Sequence, residues 1–257
     1  MDRALQLLDV LAESNRELGI AELSSRLSLH KSTVHRLLMA LQGHGLVRRN
    51  PIEPKYWLGM RLFDLGNRAV AGIEFRRRAE PFLKQLVSTT EETAHVCVLD
   101  GTEMVSIANL QGPWTLQVPS TIGRRSPLHC TSVGKSFIAH LPDRTLSELL
   151  ERIKLKRFTK HTIVSRAALK AELVRIRERG CAIDDEEIEE GLRCVAAPIC
   201  DHTGQVVASV SIAGPIFRVT KARLPALIRA VVITARDLSS SMGHSGQTST
   251  RDVSSRQ

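Results

Sequence analysis

The chain has 257 residues, with 36 Lys and Arg against 27 Asp and Glu, a formal net charge of +9 at pH 7. Its 42% hydrophobic and 25% charged residues match a globular composition, which excludes a fibrous or disordered chain. Aromatic residues at 4% are too few for the stacking platforms that bind single-stranded nucleic acid. The length allows two domains of ordinary size. No apolar run reaches the ~18 residues of a membrane span, and MDRALQLLDVLAES carries acids where a secretory signal carries a basic flank, so a cytoplasmic protein is expected, with no membrane partner. Five cysteines, Cys97, Cys130, Cys181, Cys194 and Cys200, lie mostly in apolar surroundings and read as reduced thiols rather than a disulfide framework.

Divided after Arg78, the chain carries 13 Lys and Arg against 8 Asp and Glu in its first part, a net of +5, and 23 against 19 in the remainder, a net of +4. The basic excess is therefore denser in the first third, where a polyanion would be met. Ala4, Leu7, Leu8 and Leu11 repeat at helical spacing, and Val34, Leu37, Leu38 and Leu41 fit the same template. Between them Ile20, Leu23 and Leu27 mark a short helix beginning after Gly19, and Ser28-Leu29-His30 forms a tight connection. Helix, short helix, turn and helix make a helix-turn-helix. The last helix, from His30 to about Gln42, turns its apolar stripe inward and leaves Lys31, Ser32, Thr33, His35 and Arg36 on its other faces. Backbone N–H groups at a helix start suit phosphate, small hydroxyls allow close approach, and an Arg can pair bidentately with a guanine edge. On spacing alone an ordinary basic surface helix stays open. Leu46-Val47-Arg48-Arg49 and Lys55-Tyr56-Trp57-Leu58, separated by residues 50–54, then read as a hairpin wing. Arg48, Arg49 and Lys55 on its arms could hold phosphates and set register, with Tyr56 and Trp57 packing the hairpin.

From Met60 to Asn67 the sequence predicts a helix presenting Leu62, Phe63 and Leu65, followed by Gly72 and a second helix from Glu74 to Ser88 whose Arg76, Arg77 and Arg78 read as a solvated face. The period then changes toward two. Residues 94–99 and 104–108 flank an Asp100-Gly101 turn, and residues 194–199 and 206–213 flank the turn at 201–204, so these strands are expected to share one antiparallel sheet. Helices are predicted at 132–140, 146–152, 166–179 and 225–240, giving an α+β domain. Thr131 to Lys135 starts a helix whose N–H groups could bind a carboxylate, although a capped helix with no ligand remains open. Gly134-Lys135-Ser136 lacks the Gly-rich spacing of a nucleotide loop. The Ser- and Gly-rich tail, residues 244–257, lacks apolar periodicity and is expected to be disordered.

The stretch KSTVHRLLMALQGHGLVRR followed by YWLGMRLFDLG resembles the winged helix of the IclR family of bacterial transcription regulators. LHCTSVGKSFIAHL, DDEEIEEGLRCVAAPICDHTGQVVASVSIAGP and the C-terminal helix resemble that family's effector-binding domain, so the resemblance spans roughly residues 2–243. One departure is His30, which stands where the family often has proline. The resemblance implies a two-domain fold. A winged helix-turn-helix, mainly α with a β wing, occupies residues 1–59, a linker helix region 60–78, and an α+β effector-binding domain of GAF/profilin-like type, with an antiparallel sheet, 79–243. It places the dimer contact on the linker, at Leu62, Phe63 and Leu65. Two paired winged helices imply a homodimer, or a dimer of dimers, on palindromic double-stranded operator DNA.

The resemblance also implies an effector pocket with Ser132, Val133 and Gly134 on one wall and Asp184, Leu192, Cys194 and Ser211 on the other. A carboxylate, a thiol and a hydroxyl in one cavity suit a small hydroxy, oxo or aromatic acid, with Asp184 meeting the ligand's neutral polar end. Leu116, Val118, Leu128 and Leu192 are candidates for its apolar lining, and Trp114 either covers an aromatic ligand or anchors its own loop. The expected function is a transcription regulator controlled by a small-molecule effector, with no catalytic role, no cofactor and no metal. Two alternatives are weighed. A metal or redox sensor would use His129, Cys130, Cys194, Cys200 and His202, yet no CxxC or His-x3-His spacing occurs. A cysteine-dependent enzyme would need a histidine base beside Cys194, and no histidine lies on a matched element.

Overall fold

A computed structural model of the chain describes residues 2–14, 16–71, 74–118 and 121–244. It divides into two compact units, one up to residue 73 and one from residue 74. The expected disorder of the tail falls outside the described residues, except for His244, whose Nδ1 bonds the carbonyl of Asp201 at 3.0 Å.

The first unit runs α1 (Asp2–Glu13), β1 (Leu18–Gly19), α2 (Ile20–Leu27), α3 (Lys31–Gly43), β2 (Val47–Arg49), β3 (Lys55–Leu58) and α4 (Met60–Ala71). Its core is the apolar stripe read from the sequence: Leu7, Leu11, Leu23, Val34, Leu38 and Leu41 are buried together with Leu18, Val47 and Tyr56. Between α2 and α3 the chain reverses at Ser28, which takes a left-handed φ of 52°, and Ser24 Oγ donates to the Leu29 carbonyl at 2.6 Å. His30 is the residue before the helix, not its first turn, with φ −62° and ψ 140°. That φ is the value a proline ring imposes, so histidine occupies the same backbone without strain. The wing closes on Asn50, whose Oδ1 accepts from the N–H groups of Ile52 and Glu53 at 2.8 and 3.0 Å. A third strand, absent from the sequence reading, completes it: β1 pairs with β3 through Leu18 to Tyr56 and Gly19 to Lys55. Two residues are too short to leave a period-two signal.

The second unit runs α5 (Glu74–Thr90), β4 (Thr93–Asp100), β5 (Glu103–Leu110), β6 (Arg125–Pro127), α6 (Ser132–Ala139), α7 (Asp143–Arg152), α8 (Arg166–Arg179), β7 (Ala182–Asp185), β8 (Leu192–Cys200), β9 (Val206–Pro215) and α9 (Leu224–Ser241). The six strands form one antiparallel sheet in the order β6-β5-β4-β9-β8-β7. Both predicted hairpins are present, turning through Gly101 at φ 64° and Gly204 at φ 80°, a backbone region that suits glycine. Helices α5 and α9 cover one face of the sheet, and α6, backed by α8, covers the other. The sequence reading lacks β6 and β7. The acids of Ala182-Ile183-Asp184-Asp185 hide a strand that inserts Ala182 and Asp184 into the interior, and β6 has three residues, one of them proline.

Strand register decides which side chains meet. Directly opposed residues of an antiparallel pair share a face, as do residues two apart on one strand. Asp184 opposes Cys194, Cys194 opposes Ala213, Ser211 opposes His95, and Cys97 opposes both Ser209 and Ser106. Asp184, Cys194, Ser211, His95 and Cys97 therefore lie on one face of the sheet, the face that α6 covers.

Candidate functional site

The exposed side of α3 carries Lys31, Ser32, His35 and Arg36, with Thr33 half-buried, while Val34, Leu38 and Leu41 hold the helix to the core. Lys31, Arg36, Arg48 and Arg49 are free of ion pairs with the described residues, so their charge is available to phosphate. Arg48 and Arg49 stand exposed on β2. Lys55 differs from the others because Glu53 binds its ammonium, which raises its pKa and partly offsets its attraction for a polyanion. Trp57 opposes Arg48 across the wing and Tyr56 is buried, so both aromatic rings belong to the hairpin.

On α4, Phe63 is 61% exposed, Leu65 46% and Met60 70%, with Leu62 half-buried. Three large apolar side chains in solvent along one helix are an unusual cost for an isolated surface.

The second unit contains a cavity of about 80 Å³ between the sheet face described above and the start of α6. Its walls include His95, Cys97, Ser106, Asp184, Cys194 and Ser211 from the strands, and Thr131, Ser132 and Val133 from the helix start. Thr131 caps α6, its Oγ1 accepting from the Gly134 N–H at 3.2 Å and donating to the Pro127 carbonyl at 2.6 Å. Gly134, expected on the wall, is thus used inside the cap and does not line the cavity. Its role is close approach: a Cβ there would lie 2.5 Å from both Cα and O of Leu128.

Asp184 is wholly buried. Its Oδ1 accepts from the Glu187 N–H at 2.8 Å, and its Oδ2 has no hydrogen-bond partner. Burial, reinforced by the neighbouring Glu187 carboxylate and only partly offset by hydrogen bonding and Lys135, pushes its pKa up to about 7. Lys135, 1% exposed, pairs with Glu187 and donates to the Ile183 carbonyl at 2.7 Å. A basic residue in the fourth position of a helix is thereby turned inward to neutralise one of two adjacent buried acids.

The structure also corrects an expectation about histidine. His95 lines the same cavity as Cys194, although no histidine was expected near it. Desolvation lowers the His95 pKa to about 4, with the Arg124 charge acting in the same sense, and burial pushes the Cys194 thiol well above its ordinary range. Both shifts oppose the thiolate and imidazolium of a cysteine nucleophile. Among the described residues no three His, Cys, Asp or Glu side chains gather to hold a metal ion, and no helix is long and apolar enough to cross a membrane.

Residues 67–240 match the family model for the bacterial transcriptional regulator IclR C-terminal domain, and residues 1–51 match the IclR helix-turn-helix domain. The chain belongs to the IclR family of bacterial transcriptional regulators. It is 42% identical over 224 residues to the HTH-type transcriptional regulator XynR of Escherichia coli K12, covering 87% of this chain and 89% of that relative. The IclR structure from Thermotoga maritima superposes with a TM-score of 0.83 at 30% identity, covering 95% of this chain and 98% of that one. An IclR homolog from Microbacterium hydrocarbonoxydans, solved with 4-hydroxybenzoate, shares the fold at a TM-score of 0.82 and 22% identity, over 93% of this chain and 97% of that one. This IclR-family chain is a DNA-binding transcriptional regulator.

Of the pocket residues that the family resemblance implied, Ser132, Val133, Asp184, Leu192, Cys194 and Ser211 meet at the cavity. Three apolar candidates do not. Leu116 is 61% exposed, Leu128 is core and borders a different cleft, and Val118 lies off the lining. Trp114 packs under the Arg218 guanidinium at 5.4 Å and anchors its loop instead of covering the cavity. Arg218 is itself held by a bidentate pair with buried Glu92 at 2.9 and 3.0 Å. Sequence reasoning missed His95, Cys97, Ser106 and Arg124. The first three follow from strand parity once Ser211 is placed, but that parity requires knowing that β4 pairs with β9, a contact between strands more than 100 residues apart.

Proposed function

We propose that this regulator is controlled by a small organic acid bound in the cavity of the second unit, and that binding changes its hold on operator DNA. The observation that carries this reading is the convergence of Asp184, Cys194 and Ser211 from three adjacent strands beneath the first turn of α6, a concave site with a few polar groups in an apolar surround. The volume of about 80 Å³ is roughly half the ~150 Å³ that accommodates benzene. A hydroxy or oxo acid of three or four carbons fits better than an aromatic acid such as the 4-hydroxybenzoate held by the Microbacterium relative. The winged helix then reads DNA with Lys31, Ser32, Thr33, His35 and Arg36 in the major groove, and Arg48, Arg49 and Lys55 on the backbone. Leu62, Phe63 and Leu65, large apolar side chains presented on α4, supply the dimer contact, so the operator is palindromic and the assembly a homodimer or a dimer of dimers acting in the cytoplasm.

The test is a thermal-shift and calorimetric screen of lactate, pyruvate and 4-hydroxybenzoate against the wild type and Ser211→Ala. A ligand that binds only the folded state raises the melting temperature by mass action. The expected result is a shift with the aliphatic acids that is lost in Ser211→Ala. A shift of equal size in both proteins would place the ligand elsewhere.

A further inference from the structure

Among the described residues that line the cavity, one is a permanent cation, and the way it arrives there is specific. Arg124 and Arg125 are adjacent in Gly123-Arg124-Arg125-Ser126-Pro127, yet they go to opposite sides. Arg125 opposes Val105 in β6, and its guanidinium is taken by Asp100 and Glu103 on the surface. Arg124 and Ser126, one residue to either side, both line the cavity, as the alternation of an extended chain requires. The backbone fixes this phase. Gly123 N–H donates to the Ser106 carbonyl at 2.8 Å, Ser106 N–H donates to the Arg124 carbonyl at 3.0 Å, and Arg124 N–H closes a turn onto Thr121 at 3.2 Å. Gly123 reaches this path at φ +87°, with open space where a side chain would stand. Arg124 is thus pinned beside Ser106, which itself lines the cavity opposite Cys97.

The remaining titratable lining groups leave Arg124 as the source of positive charge. His95 is neutral above about pH 4, and the thiols of Cys97 and Cys194 are protonated at neutral pH. Asp184 is the acidic counterpart, and Cys194 lies within the field of both Asp184 and Arg124. The lining therefore pairs a guanidinium-bearing residue that is exposed, Arg124, with a carboxyl-bearing residue that is wholly buried, Asp184.

We propose that Arg124 is the specificity-determining residue that receives the effector's carboxylate, selecting a small monoanionic acid and orienting its hydroxyl or oxo end toward Asp184. This rests on the reading of the cavity as the effector site. A guanidinium offers paired N–H donors that match a carboxylate and fit a neutral amide poorly.

The experiment compares each acid with its neutral isostere: lactate against lactamide and pyruvate against pyruvamide, by calorimetry at concentrations up to about 20 mM, which detects millimolar affinity. The proteins are full-length wild type, Arg124→Gln, Arg124→Lys and Ser211→Ala, with circular dichroism verifying the fold. Wild type is expected to bind acid at least about tenfold more tightly than amide, a difference of about 1.4 kcal/mol. Arg124→Gln should bring the ratio toward one by weakening the acid alone, Arg124→Lys should retain part of it, and Ser211→Ala should weaken acid and amide together. If Ser211→Ala loses binding while Arg124→Gln keeps the full preference for the acid, Arg124 does not receive the carboxylate and the effector-site reading survives. Amides binding wild type as tightly as acids would overturn the role of Arg124 in the same way. If neither acids nor amides bind, or if Ser211→Ala binds both as wild type does, the effector-site reading fails and the role of Arg124 falls with it.

Discussion

Replacing Asp184 by Asn should remove a pH dependence of stability that the buried carboxyl imposes on the second unit. In the folded protein its pKa is raised from 3.8 to about 7, chiefly by burial. A raised carboxyl favours the folded state while both states are protonated, and this contribution is lost as pH rises through the folded value. Below about pH 4 there is no penalty. Between about pH 4 and 7 the unfolded chain ionises and the folded one does not. Above that the folded state carries a cost of about 3 pH units at about 1.4 kcal/mol each, or about 4 kcal/mol. Asn keeps the Oδ1 that accepts from the Glu187 N–H and cannot ionise. The groups facing Asp184 are Glu187, Lys135 and Cys194; they are present in both proteins, and their contributions largely cancel in the difference. The chain has two tryptophans, so a Trp57→Phe background leaves Trp114 as a fluorescence reporter of the second unit. Urea titrations at fixed protein concentration from pH 4 to 8 should find Asp184→Asn close to the reference at pH 4 and more stable by several kcal/mol at pH 8. A difference that stays flat over this range, or that grows toward acid, would falsify the assignment of Asp184 as a protonated buried acid.

Three further outcomes follow from particular contacts. Gly134→Ala must push the α6 start away from the Leu128 backbone, which a Cβ would approach to 2.5 Å, and should cost about 3 kcal/mol or more in urea titration. Gly43→Ala, with open space around its Cβ, serves as control and should be neutral or slightly stabilising. Lys135→Met leaves the buried Glu187 carboxylate without its cation and should destabilise by about 3–5 kcal/mol at pH 8. Much of that loss should return in Lys135→Met with Glu187→Gln, and no recovery would mean that packing, not charge, made Lys135 necessary. Arg36→Ala should weaken binding to a duplex selected from a random pool by about 1–3 kcal/mol at fixed salt and relax one position of the site, while Arg48→Ala should reduce the salt slope by about 1 without changing the preferred sequence. Unchanged affinity in Arg36→Ala would move the recognition surface off α3.

Helices α1, α2 and α3 are legible in the sequence because each turns apolar residues at helical spacing inward: Leu7 and Leu11, Leu23, then Val34, Leu38 and Leu41 become the core of the first unit. The long hairpins are legible because their turns carry Asp100-Gly101 and residues 201–204. Short edge strands are not. Leu18-Gly19 and Arg125-Ser126-Pro127 have no room for a period, and in Ala182-Ile183-Asp184-Asp185 the two acids mask the alternation that turns Ala182 and Asp184 inward together. The candidate pocket divides in the same way. Ser132, Val133, Cys194 and Ser211, implied by the family resemblance and not by local pattern, do line the cavity. Arg124 is not found from the sequence, because nothing local distinguishes it from Arg125. Their opposite fates follow from hydrogen bonds that tie residues 123 and 124 to Ser106.

The central claim is that an acid in the cavity and DNA on the winged helix are coupled, and one titration tests it directly. A duplex selected from a random pool is titrated with wild type and Ser211→Ala, each with and without saturating lactate or pyruvate, whichever binds more tightly. Coupling of about 1–3 kcal/mol changes the wild-type affinity for DNA about 5- to 150-fold. Ser211→Ala should show the same DNA affinity with or without the acid. If calorimetry finds the acid bound to wild type while its DNA affinity stays the same, the two units do not communicate through this ligand and the claim is wrong.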